Sequence, residues 1–505
     1  MAVHVSLSIQ LVCLGFPVPC SVSQKLMSRP ASSLFLLAAL LFFFALSNHQ
    51  LQGSTEARVA GIAMEMHLDN DWVTPHLFGE PFLEKPPLSL WLDAGAIRAF
   101  GGTPWAVRLA SAFAGLFSVM LLYAMLRRFD RPKVIAWTAG ILLATMASYW
   151  SNTRSVGEDA LLAFGVSMAL LAFFQGTRHS TVGNALLFAS GIAIATLSKG
   201  VLGLAMPGVV IFVHLLAGTL MDKRLKPSDW LRPGLLTLLG LVPLMIWLAV
   251  LYQRGGTHAV GEVLLTNSVG RFSGSFVEAG HYEPFYYYIA KLPEAFAPWN
   301  ILVYLGLWHF RKSLMANRYL LFFTVWLLAQ FVMLTLASSK RTVYLMSMTP
   351  AAAVIAAEYA SVLFKRVQAC TGASTLPGLI VRHRRGIGVG VLAVVIGSYL
   401  AAAQWVLPHA DRKLSFLPLT EQIQAFQASG KQVALFQANE RVGGASVFYT
   451  RRVLKGLDTE AQLHEFLSAS PANVALMSGP NEPAVPLKVI KTMKVGRQAY
   501  YFVNQ

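Results

Sequence analysis

The chain has 505 residues, 55% of them hydrophobic and only 13% charged, with a mean hydropathy of +0.54. A soluble domain has about a quarter charged residues, so this composition excludes a water-dissolved protein of such length and points to lipid as the solvent. The formal charge of +17, from 41 basic and 24 acidic residues, admits either nucleic acid or an anionic membrane as its reason. The positions of the charges decide between the two. Cys13, Cys20 and Cys370 stand in no metal-type spacing and make neither a disulfide framework nor a thiol site.

In chain order, residues 1–32 read as a leader. Its mildly apolar start lacks a basic flank and runs into Pro17 and Pro19, which makes a poor signal peptide. Met27, directly before Ser28-Arg29-Pro30 and a long apolar run, is the better start; otherwise the leader is disordered. Residues 33–407 form the membrane module. Crossing the hydrocarbon takes about 20 apolar residues in a helix. Runs of that kind lie near 33–50, 104–126, 133–151, 159–176, 182–197, 201–220, 234–252, 297–310, 318–337, 342–363 and 387–407. That is about eleven spans, with a break at Ser198-Lys199-Gly200.

Lys and Arg favour cytoplasmic loops. With the N-terminus inside, the inner segments hold nineteen of them and the outer connections ten, although the outer loops 51–103 and 253–296 are the long ones. The expected topology is therefore N-terminus in and C-terminus out. The positive charge is then topological, and nucleic acid falls away as a partner. After residue 407 the texture changes. Short apolar runs at 432–436, 473–477 and 499–503 alternate with helical patterns near 418–429 and 459–469. Residues 408–505 thus read as a small α/β domain on the outer side.

The polar residues concentrate on the outer face. In loop 51–103 an amphipathic helix is expected over residues 60–68, and Pro86-Pro87 should open a second one. Glu56 and Arg58 lie at the membrane surface, and Glu84-Lys85 precede the proline pair. Arg154, Glu158 and Asp159 crowd the next outer corner. Asp159 has a plain explanation as a helix N-terminal acid, yet a carboxylate at the membrane edge is equally a functional candidate. Lys199 sits in a break between apolar helices, where it either snorkels or serves a ligand. Lys340, Arg341 and Tyr344 make a further polar turn on the same side. Cations at headgroup level would bind a lipid phosphate as leaving group, while a carboxylate would deprotonate an acceptor hydroxyl.

The motifs Glu56-Ala57-Arg58, Asp71-Trp72-Val73-Thr74-Pro75-His76, Glu84-Lys85-Pro86-Pro87, Arg108-Leu109, Ser198-Lys199-Gly200, His281-Tyr282-Glu283-Pro284-Phe285 and Ser339-Lys340-Arg341 with Tyr344 follow one another in order. In this the chain resembles the GT-C fold lipid-linked glycosyltransferases, chiefly the lipid A aminoarabinose transferases and more distantly the protein O-mannosyltransferases. The resemblance implies a polytopic α-helical GT-C module that transfers a sugar, aminoarabinose-like or hexose, from a polyprenyl-phosphate lipid. The acceptor would be lipid A, a glycan or a protein at the outer face of a bacterial inner membrane. It further implies Glu56 or Asp159 as catalytic acid or base. Arg58, Lys85, Lys199, Lys340, Arg341 and Tyr344 would surround the carrier phosphate, and Glu84 with His281 would hold a divalent metal ion. Thr55 and Val59 depart from the family's usual residues at those places. A lipid-linked sugar transporter or flippase is the rival reading. It predicts charge at the bilayer midplane and paired halves, whereas here the charge lines the outer rim.

Overall fold

The computed structural model describes residues 29–275, 281–369, 376–479 and 487–505. The leader up to residue 28 and all three cysteines lie outside the described residues. Among the described residues seven helices are long and apolar enough to cross a membrane, and Arg29–Phe43, Lys133–Ala144 and Asn300–Phe310 are shorter apolar helices. The bundle is graded by its solvent. The apolar stretch of Asp159–Arg178 is 83% buried among other helices, whereas that of Gly386–Leu414 is only 11% buried and turns its side chains outward. A helix apolar all round belongs in a core or in lipid, and these two take one place each.

The break expected at Ser198-Lys199-Gly200 falls inside one continuous run, Val182–Asp222, whose backbone leaves helical geometry at Lys199 and Gly200. A Cβ on Gly203 would lie 2.0 Å from the carbonyl oxygen of Ala195, eight residues earlier. Along a straight helix those residues would be about 12 Å apart, so the run folds back on itself at this point. Gly200, at φ +53° and ψ −127°, takes a conformation closed to side-chain-bearing residues. The two expected spans are thus the arms of one helical hairpin with Lys199 at its tip. Two other expected spans are shorter as helices than their apolar runs: Arg29–Phe43 stops well before residue 50, and Asn300–Phe310 begins after the turn at Pro298-Trp299.

The first outer loop folds into the helices Gly53–Asp69 and Leu88–Phe100, joined by a short hairpin of β1 (His76–Leu77) and β2 (Glu80–Pro81). Glu65 accepts hydrogen bonds from the backbone N–H groups of Phe78 (3.0 Å) and Gly79 (2.6 Å), which fixes that hairpin on the first helix.

Beyond the last apolar helix, β3 (Gln432–Phe436), β4 (Lys455–Leu457), β5 (Asn473–Gly479), β6 (Lys488–Val495) and β7 (Gln498–Asn504) form one sheet in the order β4-β3-β5-β7-β6. The first three strands are parallel, and β7 runs antiparallel to both its neighbours, β5 and β6. The helix Glu440–Thr450 follows β3 and lies against Gly53–Asp69. The approach is close enough that a Cβ on Gly444 would stand 2.3 Å from the carbonyl oxygen of Ala57. Asp411 accepts from Gln50 N (2.9 Å) and Gln52 Nε2 (2.6 Å), and the Tyr449 hydroxyl accepts from Leu51 N (3.0 Å). The C-terminal layer is therefore pinned to the start of the first outer loop.

Candidate functional site

Four pieces of chain meet above the bundle. They are the first turns of Gly53–Asp69, the segment leading into Leu88–Phe100, the N-terminus of Asp159–Arg178 and the hairpin tip at Lys199. Glu158 is the hub, 2% exposed. Its Oε1 lies 2.7 Å from Lys85 Nζ and 3.3 Å from Lys199 Nζ. Burial pushes the Glu158 carboxyl up, but the charges of Lys85, Lys199 and Arg58 outweigh it and hold the group well below the usual carboxylate range. Lys199 also forms a close ion pair with Asp159, and its ammonium stands 4.5 Å from the centre of the Tyr344 ring. Arg58 Nη1 bridges Glu84 (3.1 Å) and Glu440 (2.8 Å), the latter reaching over from the C-terminal layer. Lys85 stands 3.7 Å from Glu84.

Two cavities flank this cluster. One, of about 260 Å³, has Glu84, Lys85, Lys199, Tyr344 and Ser339 among its polar lining, and Val201, Leu202, Phe272, Met333 and Leu334 along its walls. The other, of about 230 Å³, is lined by Thr55, Glu56, Asn152, Asp159 and Arg341. Lys199 faces the first cavity and Asp159 the second, so their ion pair forms the partition. Arg341 donates to Thr55 Oγ1 (2.9 Å) and also borders a third cavity of about 530 Å³ with Asn152 and Ser151. Burial pulls the Arg341 guanidinium down, but Asp159, with Tyr344 and Glu158, more than reverses this and keeps it charged. The Arg341 backbone is held at both ends by the Tyr288 hydroxyl, which accepts from its N–H (3.1 Å) and donates to its carbonyl (3.2 Å).

Several sequence candidates stand elsewhere than expected. Glu56 does not offer a free carboxylate. It takes Nε and Nη2 of the wholly buried Arg108 (both 2.9 Å) and the N–H groups of Gln52 and Val156 (both 3.0 Å). Burial raises its pKa, but those donors bring it below the ordinary value. Lys340 also turns away from the cavities. Its ammonium donates to the carbonyls of Ala337 (2.6 Å) and Glu283 (3.0 Å), closing the C-terminus of Arg318–Leu336. Glu84 is in ion pairs with Arg58 and Lys85, while the backbone carbonyl of His281 accepts from Lys340 N (2.9 Å). Among the described residues no group of three or more His, Cys, Asp or Glu side chains is placed to hold a metal. Glu84 with His281 supplies two ligands, fewer than the three or four a divalent site takes.

Asp93 was passed over in the sequence. It is 1% exposed, and its Oδ2 has no hydrogen-bond partner. Burial, assisted by the charge of Glu158, raises its pKa well above the usual value. Lone polar residues in an apolar helical pattern were the only signal for it, and Leu88–Phe100 contains several.

A family model described as dolichyl-phosphate-mannose-protein mannosyltransferase matches residues 84–247. The undecaprenyl phosphate-alpha-4-amino-4-deoxy-L-arabinose arabinosyl transferase of Pseudomonas aeruginosa is 28% identical over 327 residues, covering 63% of this chain and 57% of that one. Transferase 2 of the same description from Proteus mirabilis is 26% identical over 367 residues, covering 72% and 64%. The chain therefore spans somewhat less than two thirds of these relatives' length. The crystal structure of ArnT from Cupriavidus metallidurans bound to undecaprenyl phosphate superimposes with a TM-score of 0.72 at 21% identity, covering 93% of this chain and 97% of that one. The chain is a multi-pass membrane protein with the fold of that structure, and in sequence and architecture it resembles the GT-C lipid-linked glycosyltransferases.

Proposed function

We propose that the chain is a glycosyltransferase of a bacterial inner membrane, moving a sugar from polyprenyl phosphate to an acceptor on the outward face. The observation behind this reading is the Lys199–Asp159 pair, set between an apolar cavity with a cationic end and a polar cavity beside it. The apolar walls suit a polyprenyl chain, and Lys85, Lys199 and the Tyr344 hydroxyl suit its phosphate. The acceptor would enter through the cavities bordered by Arg341. Its nucleophilic oxygen attacks the anomeric carbon while the bond from that carbon to the phosphate oxygen breaks. The electron pair leaves with the carrier phosphate, whose growing charge the two lysines stabilise. Asp159, on the acceptor side, takes the acceptor's proton. Glu56, with all four of its bonds in use, positions Arg108 and the loop instead.

In this reading the arms of Val182–Asp222 count as two of eleven crossings. The N-terminus is cytoplasmic and residues 408–505 are periplasmic. Aminoarabinose or a hexose is the sugar, and lipid A, a glycan or a protein is the acceptor. The test is purified protein in liposomes with labelled undecaprenyl-phosphate sugar and candidate acceptors. Label should appear in an acceptor as free carrier phosphate is released. Movement of the labelled carrier across the bilayer without labelled acceptor would instead establish the transporter.

A further inference from the structure

At the far ends of the helices that present Asp159 and Lys199 lies a separate cavity of about 540 Å³. It opens where Pro104–Arg128, Asp159–Arg178 and Val182–Asp222 end and where Arg318–Leu336 begins. Five cations line it (Arg131, Arg178, Arg224, Lys226 and Arg318) against the two acids Asp222 and Asp229. Three of the five are paired, Arg131 with Glu358 (2.5 Å), Arg178 with Asp130 (2.7 Å) and Arg318 with Asp222 (2.5 Å). Arg224 and Lys226 have no ion pair among the described residues and face one unpaired acid, Asp229, across the cavity.

Basic residues at a cytoplasmic rim need no ligand to explain them. Two further features do. His214, 7% exposed, lines the same cavity, and its Nδ1 has no hydrogen-bond partner. A buried nitrogen left without a partner is costly until a donor or acceptor enters. Beside the cavity runs a groove of about 180 Å³, sharing Thr177 and Asp229 with it, walled mainly by Phe173, Phe188, Pro233 and Leu236 and edged by Arg232. A basic chamber beside a mainly apolar groove at a bundle's rim matches an amphiphile with an anionic head.

We propose that this cavity binds the phosphodiester headgroup of an anionic phospholipid from the leaflet opposite the transfer site, with an acyl chain in the groove. Arg224 and Lys226 meet the phosphate, and the groove distinguishes the lipid from free phosphate. Basic pockets between membrane helices on the cytoplasmic side take such headgroups, each cation contributing roughly fivefold in affinity.

The test is native mass spectrometry of the full chain, delipidated in detergent and titrated with phosphatidylglycerol, phosphatidylcholine or inorganic phosphate. Phosphatidylglycerol should bind preferentially. R224Q/K226Q should weaken it about twenty-five-fold, two cations at roughly fivefold each. R311Q/K312Q, which removes equal charge from the same rim outside the cavity, should leave binding unchanged. Gly176→Phe, at a groove position where an added Cβ meets nothing within 4 Å, should weaken the lipid without altering any charge. Equal binding of phosphatidylcholine, undiminished binding by R224Q/K226Q, or an equal loss in R311Q/K312Q overturns the site. Undiminished binding by Gly176→Phe, or inorganic phosphate binding as well as the lipid, overturns the phospholipid assignment.

Discussion

Replacing Glu56 by Gln separates a structural carboxylate from a catalytic one. Each Glu56 oxygen accepts two hydrogen bonds, one from Arg108 and one from a backbone N–H. A glutamine keeps one oxygen and turns an NH₂ toward the other two donors, so two bonds are lost. Arg108, 0% exposed, also loses its counter-charge. It retains the carbonyls of Leu46 (3.1 Å), His49 (2.9 Å) and Gln50 (2.9 Å). Breaking a buried pair from one side costs about 3–5 kcal/mol, and those carbonyls place this case near 3 kcal/mol. That is roughly a 150-fold shift toward the unfolded state. Because Glu56's pKa is lowered on folding, its contribution is present above the unfolded value of 4.5 and is lost as pH falls through the folded one. The assay is denaturant unfolding of purified wild type and E56Q between pH 4 and 7, beside sugar transfer at a temperature where both are folded. E56Q should be destabilised at pH 7, less so toward pH 4, and should keep measurable transfer. E56Q/R108Q should cost less than the sum of the single changes. An E56Q protein as stable as wild type yet inactive would refute this reasoning and restore Glu56 as the base.

Asp159→Asn should lower transfer by about a hundredfold to ten-thousandfold, the usual range for a lost general base, while carrier binding measured by tryptophan fluorescence persists. Lys85→Met should raise the KM for the carrier about tenfold to a hundredfold, as for a lost charge-assisted hydrogen bond, with a smaller change in KM for the acceptor. Asp93 has a pKa raised on folding, so the folded state binds the extra proton, and stability falls as pH rises from the unfolded value of 3.8 toward the folded one. Asp93→Asn should flatten that slope and leave the protein at least as stable as wild type at pH 7, read from unfolding midpoints across pH 4 to 8.

Hydropathy made the membrane bundle legible because each span must satisfy its backbone inside itself, and helix-length apolar runs follow from that. The reversal at Lys199 was legible as a break, since Gly200 alone among neighbouring residues tolerates its backbone angles. Other features were hidden by distance or by solvent. Glu56 looked available because its partner Arg108 lies 52 residues away, and nothing in the local pattern ties the two together. Glu158 and Asp159 are adjacent in sequence, and only the fold shows that one gathers both lysines while the other, paired with Lys199 alone, borders the cavity with Thr55 and Arg341. Lys340 read as a phosphate ligand by its company, yet a helix C-terminus with unsatisfied carbonyls claims it. The helix Glu440–Thr450 was missed because Gly443-Gly444 weakens its pattern, although Gly444 lets it lie on Gly53–Asp69 and Gly443 leaves room for the Phe78 ring. Strand β6 was missed as well. Its lysines face water at a sheet edge, where charge guards against unwanted pairing and dilutes the apolar signal.

The most direct test of where the carrier phosphate sits is photocrosslinking in liposomes with a polyprenyl phosphate bearing a reactive group near its head, followed by peptide mapping. Label should fall around Phe272 and residues 333–339, suppressed by excess undecaprenyl phosphate and reduced in Lys85→Met. Label confined to residues 214–230 at the opposite rim, or unaffected by the competitor, would contradict this placement of the phosphate.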